Sequence, residues 1–157
     1  MAFVSQNMGA KKYDRIKKTV LLCLLSVFIV WVVVALITLF FGEFLIGIYA
    51  PGDFEAIEWG MRRLIIVGCT YGLCGCMEVM SGALRGVGYS FLSLIAAVSG
   101  VCGIRIIWIM TVFKSMRSFE TLFVSFPISW AGTFIFHSLF FILALQKLKK
   151  KDKNYDC

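Results

Sequence analysis

The sequence predicts an all-α integral membrane protein with four transmembrane helices in an up-and-down arrangement. Three observations predict it. The chain has 157 residues, 60% of them hydrophobic and only 16% charged, whereas soluble domains are about half apolar and roughly a quarter charged. The apolar residues gather in four long blocks almost free of charge. The basic residues cluster at the two ends of the chain. Helices follow rather than strands because lipid offers backbone groups no partner and a helix satisfies its own. A membrane barrel would alternate apolar and polar residues in segments of about 10, and these blocks do not alternate.

Residues 1–18 form a basic approach segment carrying Lys11, Lys12, Arg15, Lys17 and Lys18. The first span covers 19–49. Thr19 to Gly42 carries no charge, the helix is expected to continue to Tyr49, and Pro51-Gly52 breaks it. This block is too long for the roughly 7–15-residue core of a signal peptide, and it ends in "YAPGD" rather than a small-residue cleavage site. A loop with Asp53, Glu55 and Glu58 leads to the second span, 61–84, whose apolar block from Leu64 to Leu84 contains one charge, Glu78. "RGVGYS" turns the chain back into the third span, 91–113, which contains only Arg105. "KSMRSFE" makes the next turn. The fourth span, 121–146, is uncharged apart from His137, and Pro127 is expected to kink it or mark its first turn. The tail, 147–157, is Lys-rich and expected to fray.

Charge distribution sets the expected orientation. Both terminal segments and the connection holding Arg85 lie on one side, while Arg62, Arg63, Lys114 and Arg117 lie on the other. The richer side belongs in the cytoplasm, which places both termini there in a multi-pass plasma-membrane protein. The net charge of +7 therefore points to lipid headgroups and not to nucleic acid. Six cysteines include the "CGC" of 74–76. That is not the spacing of a zinc site, and within spans thiols pack as small apolar groups. No metal site, cofactor, nucleophile–base pair or phosphate loop is predicted, so enzymatic chemistry is not expected.

On a wheel of ~100° per residue, Gly68, Gly72, Gly75, Gly82 and Gly86 fall within roughly 40° of one line. Small residues on one stripe admit a neighbouring helix in lipid. Glu78 lies at the edge of that stripe and is expected to face protein or a cavity. Arg85, seven residues on, shares its side. Intramembrane charges often mark ion or proton paths, so Glu78 is either a transport group or a headgroup-level partner of Arg85. Arg105 is expected to point away from Gly100 and Gly103. It either snorkels to the outer surface or lines a substrate path. His137 shares a face with Trp130, Thr133 and Phe141. It is either a satisfied structural group or a proton relay.

The segments "MEVMSGALRGVGYS", "GVCGIRIIWI" and "SFPISW", in that order, resemble the C-terminal part of multidrug and toxic compound extrusion (MATE) transporters. "FVSQNMGAKKYDRIKK" at 3–18 resembles the same family's link between its eighth and ninth helices. The resemblance implies the last four of twelve helices, part of one six-helix lobe. It also implies exchange of organic, often cationic, compounds for Na+ or H+. Arg85, Gly86 and Gly88 would then form the cytoplasmic turn after the tenth helix, and Glu78 would lie on the helix that supplies an acidic coupling residue in some members. Two lobes must rock around a central site in alternating access, so four helices are expected to be inactive alone: a truncated product, or a piece whose missing helices are encoded separately. Two alternatives stay open. One is a small homodimeric proton-coupled exporter using Glu78. The other is a membrane interaction subunit that transports nothing.

Overall fold

The computed structural model describes residues 1–155, with side chains as far as Asp152. Cys157 lies outside the described residues; the other five cysteines are free thiols. The chain forms five helices: α1 (Ala2–Gly9), α2 (Tyr13–Tyr49), α3 (Phe54–Gly86), α4 (Ser90–Phe113) and α5 (Phe119–Tyr155). The last four are each long and apolar enough to cross a membrane, and no strand occurs among the described residues.

The breaks have local causes. Gly52 takes a left-handed φ of 83° between α2 and α3, a conformation glycine enters without a Cβ penalty. Asp53 then caps α3, its carboxylate accepting from the Ala56 N–H at 3.0 Å. Because that cap comes so early, the acidic stretch expected as a loop is already the first turn of α3. Gly88, with φ of 94°, makes the turn between α3 and α4. The Ser118 hydroxyl accepts from the Glu120 N–H at 3.3 Å as α5 begins.

The helices run past the expected spans. α2 begins at Tyr13 rather than 19, and α5 continues helically to Tyr155, so the tail is not frayed there. Lysine-rich sequence is a good helix former, and side-chain contacts hold this end. Tyr13 donates a short hydrogen bond to Asp152, Lys149 reaches Asp14 at 3.2 Å, and Lys11 lies 3.6 Å from Asp152. Pro127 is the ninth residue of α5, inside the helix and not in its first turn.

α3 is the hub. α2 packs on one side of it, α5 on the other, and α4 packs on α5 and the end of α3. The apolar core lies at the basic end, where Ile16, Met80, Leu84, Val87, Phe141 and Leu145 meet beneath Val4 of α1. The opposite end is closed by Arg62, which pairs with Glu58 at 2.9 Å and Glu120 at 3.3 Å. Trp59 stacks there against Phe119.

The glycine stripe of α3 seats side chains rather than bringing two backbones together. Thr38 lies on Gly68, the Trp31 ring on Gly72 and Val27 on Gly75. The Trp31 indole also donates to the Gly68 carbonyl at 3.2 Å. Gly86 belongs to this packing and not to the turn: it seats Val4 of α1, and only Gly88 has left-handed backbone. Gly82 departs from the expectation. A Cβ there would meet nothing within 4 Å, because the position sits at the stripe's edge, turned from α2. Gly72→Leu is expected to destabilise the bundle by about 1–3 kcal/mol through overpacking against Trp31. Gly82→Ala should be neutral or stabilise by up to ~1 kcal/mol through helix propensity. Reversible unfolding in mixed micelles measures both.

Candidate functional site

α5 presents a polar residue at every fourth position: Ser125, Ser129, Thr133 and His137, all buried. The first three satisfy their hydroxyl protons within their own helix. Ser125 donates to the Leu122 carbonyl at 2.6 Å, Ser129 to Phe126 at 2.8 Å and Thr133 to Ser129 at 2.7 Å. This back-bonding removes the penalty of a bare hydroxyl in an apolar environment and leaves each oxygen free to accept.

Arg105 uses that freedom. Its Nε donates to the Ser129 hydroxyl at 3.0 Å, and its guanidinium lies 4.2 Å from the centre of the Phe126 ring. The cation is thus held by one hydrogen bond and one aromatic face. The wheel places Arg105 away from Gly100 and Gly103, yet it reaches α5 as Gly100 does, whereas a Cβ on Gly103 would meet nothing within 4 Å. Gly100 packs so closely on Thr133 that a Cβ would fall 2.3 Å from its hydroxyl. The reason is local: Val98–Gly103 and Ile109–Phe113 are π-helical. A π turn bonds i to i+5 and takes an extra residue, so a wheel drawn for uniform α-helix drifts out of phase along α4. The Trp108 indole likewise points to α5, donating to the Thr121 carbonyl at 2.9 Å.

His137 is fully buried and tied to three helices. Nδ1 lies 3.0 Å from the Thr133 carbonyl. Nε2 faces Ser93 of α4, 3.4 Å from its hydroxyl and 3.2 Å from its carbonyl. The Ser93 hydroxyl lies 3.0 Å from that of Ser81 on α3. Each ring nitrogen faces a carbonyl to which it can donate when it carries the proton, Nδ1 to Thr133 and Nε2 to Ser93. An unprotonated Nε2 can instead accept from the Ser93 hydroxyl, which otherwise donates to the Ser81 carbonyl at 3.3 Å. The expected common face of Trp130, Thr133, His137 and Phe141 is buried along its length.

Glu78 is placed differently. It is 62% exposed and its carboxylate meets Arg85 at 3.9 Å, on an exposed flank of α3. Exposed Tyr71 shares this flank. Its ring meets Trp130 edge-on at 5.7 Å, and Trp130 meets Phe126, the ring beneath Arg105, at 6.0 Å. The aromatic row therefore joins Tyr71 to Arg105, Glu78 lies seven residues beyond Tyr71 on the same side of α3, and His137 has no contact with the row. No cluster of three or more potential metal ligands occurs among the described residues.

Residues 1–111 match the MatE family model, more than two thirds of the 157-residue chain. The chain belongs to the MatE family. It is accordingly a multi-pass membrane protein of a transporter family. No curated protein and no solved structure matches it. The MatE match takes in α1 to α3 and nearly all of α4, with Glu78, Arg85 and Arg105. The polar ladder and His137 lie beyond it on α5.

Tyr71, Ser81, Ser93, Ser125, Phe126 and Ser129 are site residues not singled out in the sequence. The four-residue spacing from Ser125 to His137 is a usable signal for Ser129; nothing local marks Ser81 or Ser93, whose roles depend on which helices meet. Ser129→Ala is expected to lower stability by roughly 1 kcal/mol, the net worth of one hydrogen bond. Arg105→Lys, which loses the planar stack as well, should cost at least as much. Unfolding in micelles reads both, and no change in either would contradict the anchoring geometry.

Proposed function

We propose that this MatE chain supplies part of the substrate-facing surface of an antiporter that exchanges organic, often cationic, compounds for Na+ or H+. The observation that carries the reading is the open flank of α3. It presents a carboxylate, Glu78, beside Tyr71 and the aromatic row that ends under Arg105. Carboxylate charge and aromatic faces are the two features that hold an organic cation in a low-dielectric site. Glu78 is the cation or proton group in this reading. Arg105 is a fixed positive charge that borders the site, and His137 holds the helices together. The plasma membrane, with both ends of the chain cytoplasmic, is the location that the charge asymmetry favours.

These four helices leave Glu78 on an open face, and alternating access needs a second half to close over the site. We therefore assign binding, but not vectorial transport, to the four-helix chain by itself. The test is ethidium binding and gradient-driven uptake by the chain in proteoliposomes. Binding without Na+- or H+-driven uptake is expected, with Glu78→Gln weakening binding about tenfold, or ~1.4 kcal/mol, while helical content is kept. Unchanged ethidium affinity in Glu78→Gln would contradict the role of Glu78. Robust uptake by the chain alone would favour a self-sufficient oligomeric exporter.

A further inference from the structure

On the face away from Glu78, α2 and α5 flank Met80 of α3 and meet each other at their basic end, and a groove of about 420 Å³ opens between them. Its walls are apolar apart from Ser138, whose buried hydroxyl has no partner among the described residues, with Leu24 and Phe134 at the deep end and Leu145 nearer the mouth. At its mouth stand Lys17, Gln146 and Lys149. Lys149 also borders a second cleft, of about 500 Å³, lined by Lys11, Lys12, Tyr13, Asp14 and Arg15. An apolar slot thus runs directly into a basic chamber.

We propose that this composite site binds an anionic phospholipid, with one acyl chain in the groove and the headgroup phosphate in the basic cleft.

Depth favours a lipid over a protein helix. On α2 the groove lining runs from Lys17 to Leu24, and on α5 from Phe134 to Lys149. At 1.5 Å per residue these are ~10 Å and ~22 Å. The apolar part on α5, Phe134 to Leu145, is ~16 Å, so the slot is about one leaflet deep, half of a hydrocarbon core being ~15 Å. A transmembrane helix would need a groove along the whole of α2, which continues to Tyr49. A second copy of the chain would meet the same mismatch.

Charge favours an anionic headgroup. Lys12, Arg15 and Lys17 make no ion pair among the described residues, whereas Lys149 is shared with Asp14 and Lys11 with Asp152. Two uncommitted cations in the cleft, Lys12 and Arg15, with Lys17 at the groove mouth, outnumber the single cleft carboxylate, Asp14, which already has a partner. Basic pockets between helices at a membrane surface attract anionic headgroups in this way. Bound there, the lipid would staple α2 to α5 at the end where Tyr13 and Asp152 already join them.

The test is photolabelling of the full chain in phosphatidylcholine liposomes doped with phosphatidylglycerol that carries a diazirine in its acyl chain. Label is expected on groove residues such as Leu24 and Phe134, and the matching phosphatidylcholine probe should label them several-fold less. Each of Lys12→Ala, Arg15→Ala and Lys17→Ala should reduce the preference for phosphatidylglycerol by up to roughly fivefold. Leu24→Trp, which fills the slot and keeps every charge, should remove groove labelling by both probes. Equal labelling by the two lipids, label spread evenly over the exposed faces of α2, or crosslinks from the groove to a second chain would overturn the proposal.

Discussion

The architecture depends on a buried hydrogen-bonded knot, Ser81–Ser93–His137, in which three helices share their polar atoms. Between helices in lipid the hydrophobic effect gives no net pull, because acyl chains are as apolar as leucine. Association rests on close packing and on interhelical hydrogen bonds. The knot supplies the second on the side of α3 that faces α4 and α5. The glycine seats for Thr38, Trp31 and Val27 supply the first on the side that faces α2. With both sides of α3 committed, its third flank is left open, and that flank carries Glu78 and Tyr71.

The same constraint shapes α4. Gly100 must lie against Thr133, Arg105 must reach Ser129, and Trp108 must reach the start of α5. A uniform α-helix would carry these residues around its axis and away from one another. The two π-helical segments hold them toward α5. π turns cost hydrogen-bond geometry and occur mostly where function or packing needs them. Here they bring a cation to an aromatic face within the membrane span and keep it beside the open flank.

Much of this was legible in the sequence, and the failures have physical causes. Four blocks almost free of charge specify four membrane helices because insertion depends on composition and length, which are local. The common face of His137 with Trp130, Thr133 and Phe141 was also legible, since α5 is regular enough for its wheel to hold; that this face is buried is known from the packing. Arg105 was misplaced because the wheel presumes 3.6 residues per turn and α4 departs from it. Gly82 was misassigned because a stripe about 80° wide has edges, and only the tertiary packing decides which edge is covered. Ser81 and Ser93 carry no signal of their own, because a serine in a span becomes a tether only when a histidine arrives from a helix some 44 residues away.

A transporter must bind its cargo on a surface that moves without falling apart. In this chain the two demands fall on different sides of α3: polar tethers and glycine seats on the committed sides, a carboxylate and aromatic rings on the free one. The most direct test of the tether is a double-mutant cycle between Ser93→Ala and His137→Leu, read as unfolding free energy in mixed micelles. The knot predicts a coupling of about 1 kcal/mol, within the range found for interhelical hydrogen bonds in membranes. Effects that add to within ~0.3 kcal/mol would contradict it and leave the α3–α4–α5 assembly to apolar packing alone.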